Sequence, residues 1–290
     1  MTVGIVGLGL IGGSIAKAFA SAKAFASDGT SPGETAHTIY GFDTDEAILG
    51  FAEVSGAITG ALTDTTLKTC DTIFIALNPG DAVAWLKKNA PIIAKNTLVL
   101  DCCGVKQTVC SECFPLAEKF GFVFVGGHPM AGSHKAGFKN SRADLFQGAY
   151  MILVPPVYDD PALFGRLEEA LEPLGFGHHT VTTAKKHDEM IAFSSQMAHV
   201  VSNAYIKSPT ALGHKGFSAG SYKDLTRVAR LNADMWSELF MDNSDYLIGE
   251  LDGFIDSVSE YRNALAAKDI TKLRSLLEEG SRLKAEVDTE

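Results

Sequence analysis

The stretch TVGIVGLGLIGGS, Thr2 to Ser14, decides the fold. Thr2 to Val6 reads as a short strand, and Gly7-Leu8-Gly9-Leu10-Ile11-Gly12 follows without a gap. Gly13 to Ala26 then has helical spacing, with Ile15, Phe19 and Ala22 on one side. Strand, G-x-G-x-x-G and helix in that order form the context a dinucleotide fingerprint requires. Gly7 would make the tight turn, Gly9 would let backbone approach a diphosphate, and Gly12 would let helix pack on strand. Leu10 and Ile11, inside the motif, join the candidate cofactor contacts, and the diphosphate would sit on the helix N-terminus, where free N–H groups and the dipole favour negative charge.

Downstream, the polar loop Ser27 to Glu34 delays the second strand, Thr38 to Asp43. Asp43 therefore falls later than the usual ~20 residues past the motif. A carboxylate there accepts hydrogen bonds from ribose hydroxyls and repels a 2′-phosphate. No Lys or Arg follows in Thr44-Asp45-Glu46, so the expected cofactor is NAD and not NADP. The plainer alternative is that Asp43 caps a helix beginning near Asp45. Asp71 to Leu77, Thr97 to Asp101, Phe122 to Val125, Tyr150 to Val154 and a short run around His179 to Thr182 read as further strands. With the helices between them they predict an α/β fold, a doubly wound Rossmann-type parallel sheet over residues 1–183. Pro79 and Cys102 lie just past the ends of two of these strands and join the candidate cofactor contacts.

GGHPMAGSHKAGF, Gly126 to Phe138, is the stretch with chemistry in it. The two glycines are expected to end the strand and leave His128 at its carboxyl end, the edge where open α/β sheets bind ligands. Pro129 biases His128 towards extended geometry, and a histidine there can take a proton near neutral pH. Ser133, His134 and Lys135 follow in the same turn-rich segment. The bland alternative is a histidine that caps a turn.

From Ala184 the pattern changes to long helices, which predicts an all-α second domain over 184–290. Ala184 to Lys207 is apolar on several faces, and Ser195, His199 and Ser202 are set into it at spacings that share one helical face. They form either helix–helix hydrogen bonds or the wall of a polar pocket. A helix over Tyr222 to Leu231 carries Arg227 and Arg230, and arginine holds carboxylates bidentately. The last helices are amphipathic and charged, suited to a solvated outer face or a dimer contact.

The formal charge of −10 over 290 residues argues against nucleic acid or an anionic membrane surface as partner, so an anionic substrate needs local positive groups. Glycines break the apolar N-terminus where a signal peptide would be helical, and five cysteines are an odd number. Free thiols in a soluble, cytoplasmic protein are expected. Cys110-x-x-Cys113 has ligand spacing but lies on a predicted helix with no second pair, so no metal is expected.

GLGLIGGS at Gly7, DCCGVK at Asp101, GGHPMAGSHKAG at Gly126, FSSQMAH at Phe193 and KDLTRVA at Lys223 closely resemble the motifs of the prephenate and arogenate dehydrogenase family of tyrosine biosynthesis. The resemblance covers essentially the whole chain, and the histidine motif is its specific part. It implies NAD-dependent oxidative decarboxylation of prephenate. The family's catalytic histidine falls on His128, its second substrate-site histidine on His199 with Ser195 beside it, and its substrate arginine on Arg227. His128 and His199 are thus the candidate catalytic residues, with Ser133, His134, Ser195 and Arg227 as substrate contacts. One departure is Gly104, where many members carry a serine that hydrogen-bonds the catalytic centre. A backbone group, water, Ser133 or a cysteine is expected to take its place. His134 could donate to a keto or carboxylate oxygen but would repel an ammonium when protonated, which favours prephenate over arogenate. A homodimer through the helical domain is expected, without a separate regulatory domain. The competing readings are a β-hydroxyacid-type dehydrogenase and a non-enzymatic NAD sensor.

Overall fold

The computed structural model of the chain describes residues 1–22, 37–133 and 135–289. Its strands are β1 (Thr2–Val6), β2 (Thr38–Phe42), β3 (Gly60–Ala61), β4 (Thr72–Ile75), β5 (Leu98–Asp101), β6 (Val123–Pro129), β7 (Tyr150–Val154) and β8 (His178–Val181). They form one sheet in the order β3-β2-β1-β4-β5-β6-β7-β8. The first six pair in parallel, with β1 between β2 and β4, so the reversal of strand order lies at the end of β1 where the glycine motif begins.

Helices α1 (Leu10–Ser21), α2 (Glu46–Val54), α3 (Asp64–Leu67), α4 (Pro79–Asn89), α5 (Gln107–Phe120) and α6 (Pro161–Leu171) connect the strands. Two apolar cores result, one on each face. Ile5, Phe19, Phe74, Leu100 and Leu167 belong to one, and Ile73, Leu86, Val99, Val109 and Phe124 to the other. β4 and β5 are buried at every position, as central parallel strands covered on both faces must be. The expected extension of α1 to Ala26 and the loop Ser27 to Glu34 lie outside the described residues.

Three details differ from the sequence reading. The two-residue strand β3 was too short to show in the pattern. β7 runs antiparallel to β6, so the sheet is mostly and not wholly parallel. Among the described residues between them the one helical turn is the 3₁₀ turn Phe138–Asn140, and with no crossover helix among them the chain returns in the opposite sense. Lastly, Gly126 and Gly127 do not end β6: it continues through His128 to Pro129, leaving β5 after Val125 and pairing with β7 from Gly126 onward.

After β8 the chain is helical. α7 (Ala184–Ile191), a π-helical turn (Ala192–Met197) and α8 (Ala198–Tyr205) form one continuous rod, followed by α9 (Gly220–Thr226), α10 (Ala233–Asp242), α11 (Ser244–Ala267) and α12 (Ile270–Val287). α9 is shorter than expected and Arg227 is its cap, so Arg230 lies outside it. Asn243, buried between α10 and α11, donates to Asp188 O at 2.9 Å and to Gln196 Oε1 at 2.7 Å, tying the rod to α11. Among the described residues no helix is long and apolar enough to cross a membrane.

Candidate active site

The glycine motif has the geometry its three positions require. Gly7 has φ +85°, and a Cβ there would sit 2.6 Å from Ala76 O. A Cβ on Gly12 would fall 1.8 Å from Gly7 O, so only glycine lets α1 start this close to the turn. Around Gly9, by contrast, nothing lies within 4 Å. α1 begins there at Leu10 and Ile11 with no side-chain cap and no acid in its first turn, which leaves its N–H groups open to an anion. Asp43 Oδ2 accepts from Leu8 N at 2.8 Å and Oδ1 from Asp45 N at 3.0 Å. The cap of α2 is Asp45, which accepts from Ala47 N at 2.9 Å, so Asp43 does not serve as the cap. Its carboxylate stands against the motif turn, and these residues fit a dinucleotide. Pro79, buried, is the first residue of α4 after β4. Cys102 follows β5, and burial, with Asp101 adding to it, pushes its thiol up to about 12. Pro79 lies past the carboxyl end of β4, which pairs with β1, and Cys102 past that of β5, one strand further out.

His128 stands at the same edge on the extension of β6. The glycines before it allow close approach: a Cβ on Gly127 would lie 2.4 Å from Asp101 O, and one on Gly126 2.7 Å from Cys110 Sγ. Asp101 ties this corner together, accepting from Gly127 N at 3.0 Å and Cys103 N at 2.9 Å and pairing with the buried Lys106 ammonium. Burial opposes the charge on Lys106, and the Asp101 carboxylate paired with it more than offsets that.

The group that engages His128 is none of those expected in place of the missing serine. His128 Nδ1 lies 2.8 Å from Nε2 of His187, and His187 Nδ1 lies 2.7 Å from Asp188 Oδ1. Asp188 also accepts from the N–H groups of Lys106 at 2.7 Å and Gln107 at 2.8 Å, at the start of α5. Burial holds His128 well below the usual histidine range, with His187 and Lys106 adding to the effect. Burial likewise lowers His187 in spite of Asp188. Both rings are therefore neutral at pH 7, and His128 keeps part of its surface accessible. At Gly104 itself a Cβ would meet Leu239 Cδ2 at 3.3 Å, so α10 occupies the ground beside the serine's place.

The helical residues gather around α8 and α10. His199 Nδ1 donates to Val228 O at 3.2 Å, and its ring lies 4.0 Å from that of Trp236. Burial lowers the pKa of His199, and Arg227 lowers it further. Arg227 is exposed, and among the described residues no ion pair engages it. Ser195 falls in the π turn, which breaks the regular spacing that would set it on one face with His199 and Ser202. It is half-buried and makes no side-chain hydrogen bond to a described residue. Ser202 instead donates to Leu225 O at 2.7 Å and joins helix to helix. Ser133 is exposed and closes a local turn by accepting from Lys135 N at 3.1 Å, while His134 lies outside the described residues. α10 spans the two parts: Glu238 Oε1 accepts from Gly80 N at 2.8 Å, and Leu239 O accepts from Gln196 Nε2 at 2.9 Å.

His187 and Asp188 were not singled out from the sequence. The signal was an adjacent His-Asp pair in the first helix after the sheet, easily read as a solvated helix start. His187 and His199 lie along one rod with about 18 Å of rise between them, so the rod presents two separate stations to the cleft. Among the described residues no group of three or more His, Cys, Asp or Glu could hold a metal ion.

A family model described as the nucleotide-binding domain of prephenate dehydrogenase matches residues 32–178, and one described as its dimerization domain matches residues 183–279. The prephenate dehydrogenase of Bacillus subtilis (strain 168) is 28% identical over 280 residues, covering 94% of this chain and 72% of that protein. The crystal structure of prephenate dehydrogenase from A. aeolicus in complex with hydroxyphenyl propionate and NAD+ superposes with a TM-score of 0.81 at 24% identity, covering 99% of this chain and 98% of the other. Synechocystis arogenate dehydrogenase gives 0.77 at 24% identity, covering 98% and 100%. Fold and family converge.

Proposed function

The chain belongs to the prephenate dehydrogenase family, and from that we propose that it oxidatively decarboxylates prephenate to 4-hydroxyphenylpyruvate with NAD, releasing carbon dioxide and NADH. The observation that supports this most is the neutral, partly accessible imidazole of His128 at the sheet edge that carries the glycine motif. When bound, NAD supplies the acceptor for the hydride lost from the hydroxyl-bearing ring carbon. Gly7, Gly9, Leu10, Ile11 and Gly12 would hold its diphosphate, Asp43 a ribose, and Pro79 and Cys102 would border its remainder.

His128 draws off the ring hydroxyl proton, which a lone pair on a neutral ring can do and an imidazolium cannot. Arg227 grips one substrate carboxylate as a charge-assisted pair. His199 and Ser195 meet further substrate oxygens at that end, and Ser133 is a further substrate contact. Loss of the ring carboxylate as carbon dioxide aromatises the product and makes the step irreversible. The boundaries proposed are residues 1–183 for the nucleotide-binding domain and 184–290 for the helical domain, which pairs two copies in a cytoplasmic homodimer.

Arogenate is the second reading, since it differs only in carrying an ammonium where prephenate has a keto group. Prephenate is preferred because His134 offers that group no carboxylate. Purified protein is expected to form NADH with prephenate, with a higher kcat/KM than with arogenate. His128→Asn is expected to lower kcat roughly 1,000-fold. No NADH from either substrate would overturn the reading.

A further inference from the structure

We propose that His187 and Asp188 are positioning residues that set which nitrogen of His128 carries its proton, leaving Nε2 bare for the substrate hydroxyl. The inference rests on the proposed role of His128 and extends it to two side chains that touch no substrate.

The assignment follows from donors and acceptors. A carboxylate only accepts, so the 2.7 Å contact to Asp188 Oδ1 requires the proton of His187 on Nδ1. A neutral His187 then has a lone pair at Nε2. That lone pair lies 2.8 Å from His128 Nδ1, which must be the donor. The remaining nitrogen of His128 is left as an acceptor.

The far end of the relay is fixed firmly. Asp188 is wholly buried and receives the N–H groups of Lys106 and Gln107, while its own carbonyl accepts from Asn243 at 2.9 Å. The charged groups facing the rings are Lys106 and Asp101, from the start of α5 and the end of β5. Asp242 on α10 feels Asp188 from the other side. The Lys106–Asp101 pair is internally compensated, so it biases the charge of His128 more than the choice between its nitrogens. The first helix after the sheet thus decides the working form of a base that the sheet carries.

The test is a long-range proton–nitrogen correlation spectrum of ¹⁵N-histidine-labelled full-length protein near pH 7.5, alongside steady-state rates. His128 is expected to show a protonated Nδ1 and a bare Nε2. His187→Gln keeps an acceptor near the Nε2 position and is expected to preserve that tautomer and at least about a tenth of kcat. His187→Leu and Asp188→Asn remove or reverse the acceptor. They are expected to shift His128 towards the Nε2-protonated form and lower kcat about 100- to 10,000-fold, in the manner of a wrong-tautomer triad, with KM for prephenate within about threefold.

A protonated Nε2 on His128 in the unaltered protein overturns the proposal, whatever the variants do. So does a folded, NAD-binding His187→Leu protein with unchanged kcat, or a Gln variant as impaired as Leu. If Leu or Asn prevents folding, the spectrum of the unaltered protein and the Gln variant decide. The expected tautomer in a protein that leaves prephenate untouched would instead sink the proposed function while this assignment stood.

Discussion

The sheet and the helices that follow it are stabilised in different ways. The sheet wraps an apolar core on each face and leaves its central strands fully buried. The helical part has little interior of its own: α9 and α10 bury no residue, α11 buries only Leu247 and Ala264, and α12 only Leu276. Ile248, Ile255, Leu265, Ile270, Leu277 and Val287 on α11 and α12 are each more than half exposed. Helices gain most of their stability by burying one face, so this part calls for a surface outside the chain, such as a second copy. The difference teaches where the site is vulnerable. The base proposed for it stands on the sheet, and the groups proposed to grip substrate stand on the helical part.

Four perturbations test that contrast. Gly12→Ala should act on the sheet part alone, because its Cβ would fall 1.8 Å from Gly7 O. NAD binding, followed by calorimetric titration, is expected to weaken more than about 100-fold while the oligomeric state holds. Binding within threefold of normal would mean that the motif turn is not the diphosphate site. Arg227→Ala should raise KM for prephenate about 10- to 100-fold and leave kcat nearly unchanged. A fall in kcat alone would place the arginine at the reacting end.

Ile255→Asp puts a charge on the exposed face of α11 and should lower Tm by several degrees and abolish the rise of Tm with protein concentration that pairing with a second copy gives the unaltered protein. An unchanged Tm and sedimentation coefficient would mean that this face is simply solvated. The smallest effect concerns pH. His128 and His187 are held below their unfolded value of about 6.5, so below that pH the unfolded chain takes up protons the folded one refuses. Stability should be level above pH 6.5 and fall on acidification, with about 1 kcal/mol lost to His128 by pH 5.5 in urea melts. A rise in stability over that range would contradict the neutral relay.

What could be read from the sequence was whatever depends on local backbone. Gly7 and Gly12 were legible one by one, since each answers a distinct steric demand at a fixed offset, whereas around Gly9 there is open space. Asp43 and His128 were placed at the right edge because strand ends are local features. The course of β6 departs from the expectation because its glycines do not stop the strand but let it press against Asp101 and Cys110 and change partners. The antiparallel β7 could have been read from the lack of a helix between Pro129 and Tyr150. His187 and Asp188 could not be read by spacing at all. They meet His128 and Lys106 across 59 and 82 positions, and only packing brings them there.

The π turn at Ala192–Met197 has a consequence for how this site can change through descent. It spends one residue more than a regular helix would over the same rise, and one residue is about 100° of rotation. A one-codon deletion there would leave the rod intact and well packed at its start. It would return the turn to regular spacing, leaving the imidazole of His199 by Val228 and Trp236 and the hydroxyl of Ser202 by Leu225 while the residues inside the turn, Ser195 among them, change face. Loss of one residue in those six positions should therefore be felt at Ser195 and not in the packing of α8, which makes the turn a place where descent can re-aim one pocket group on its own.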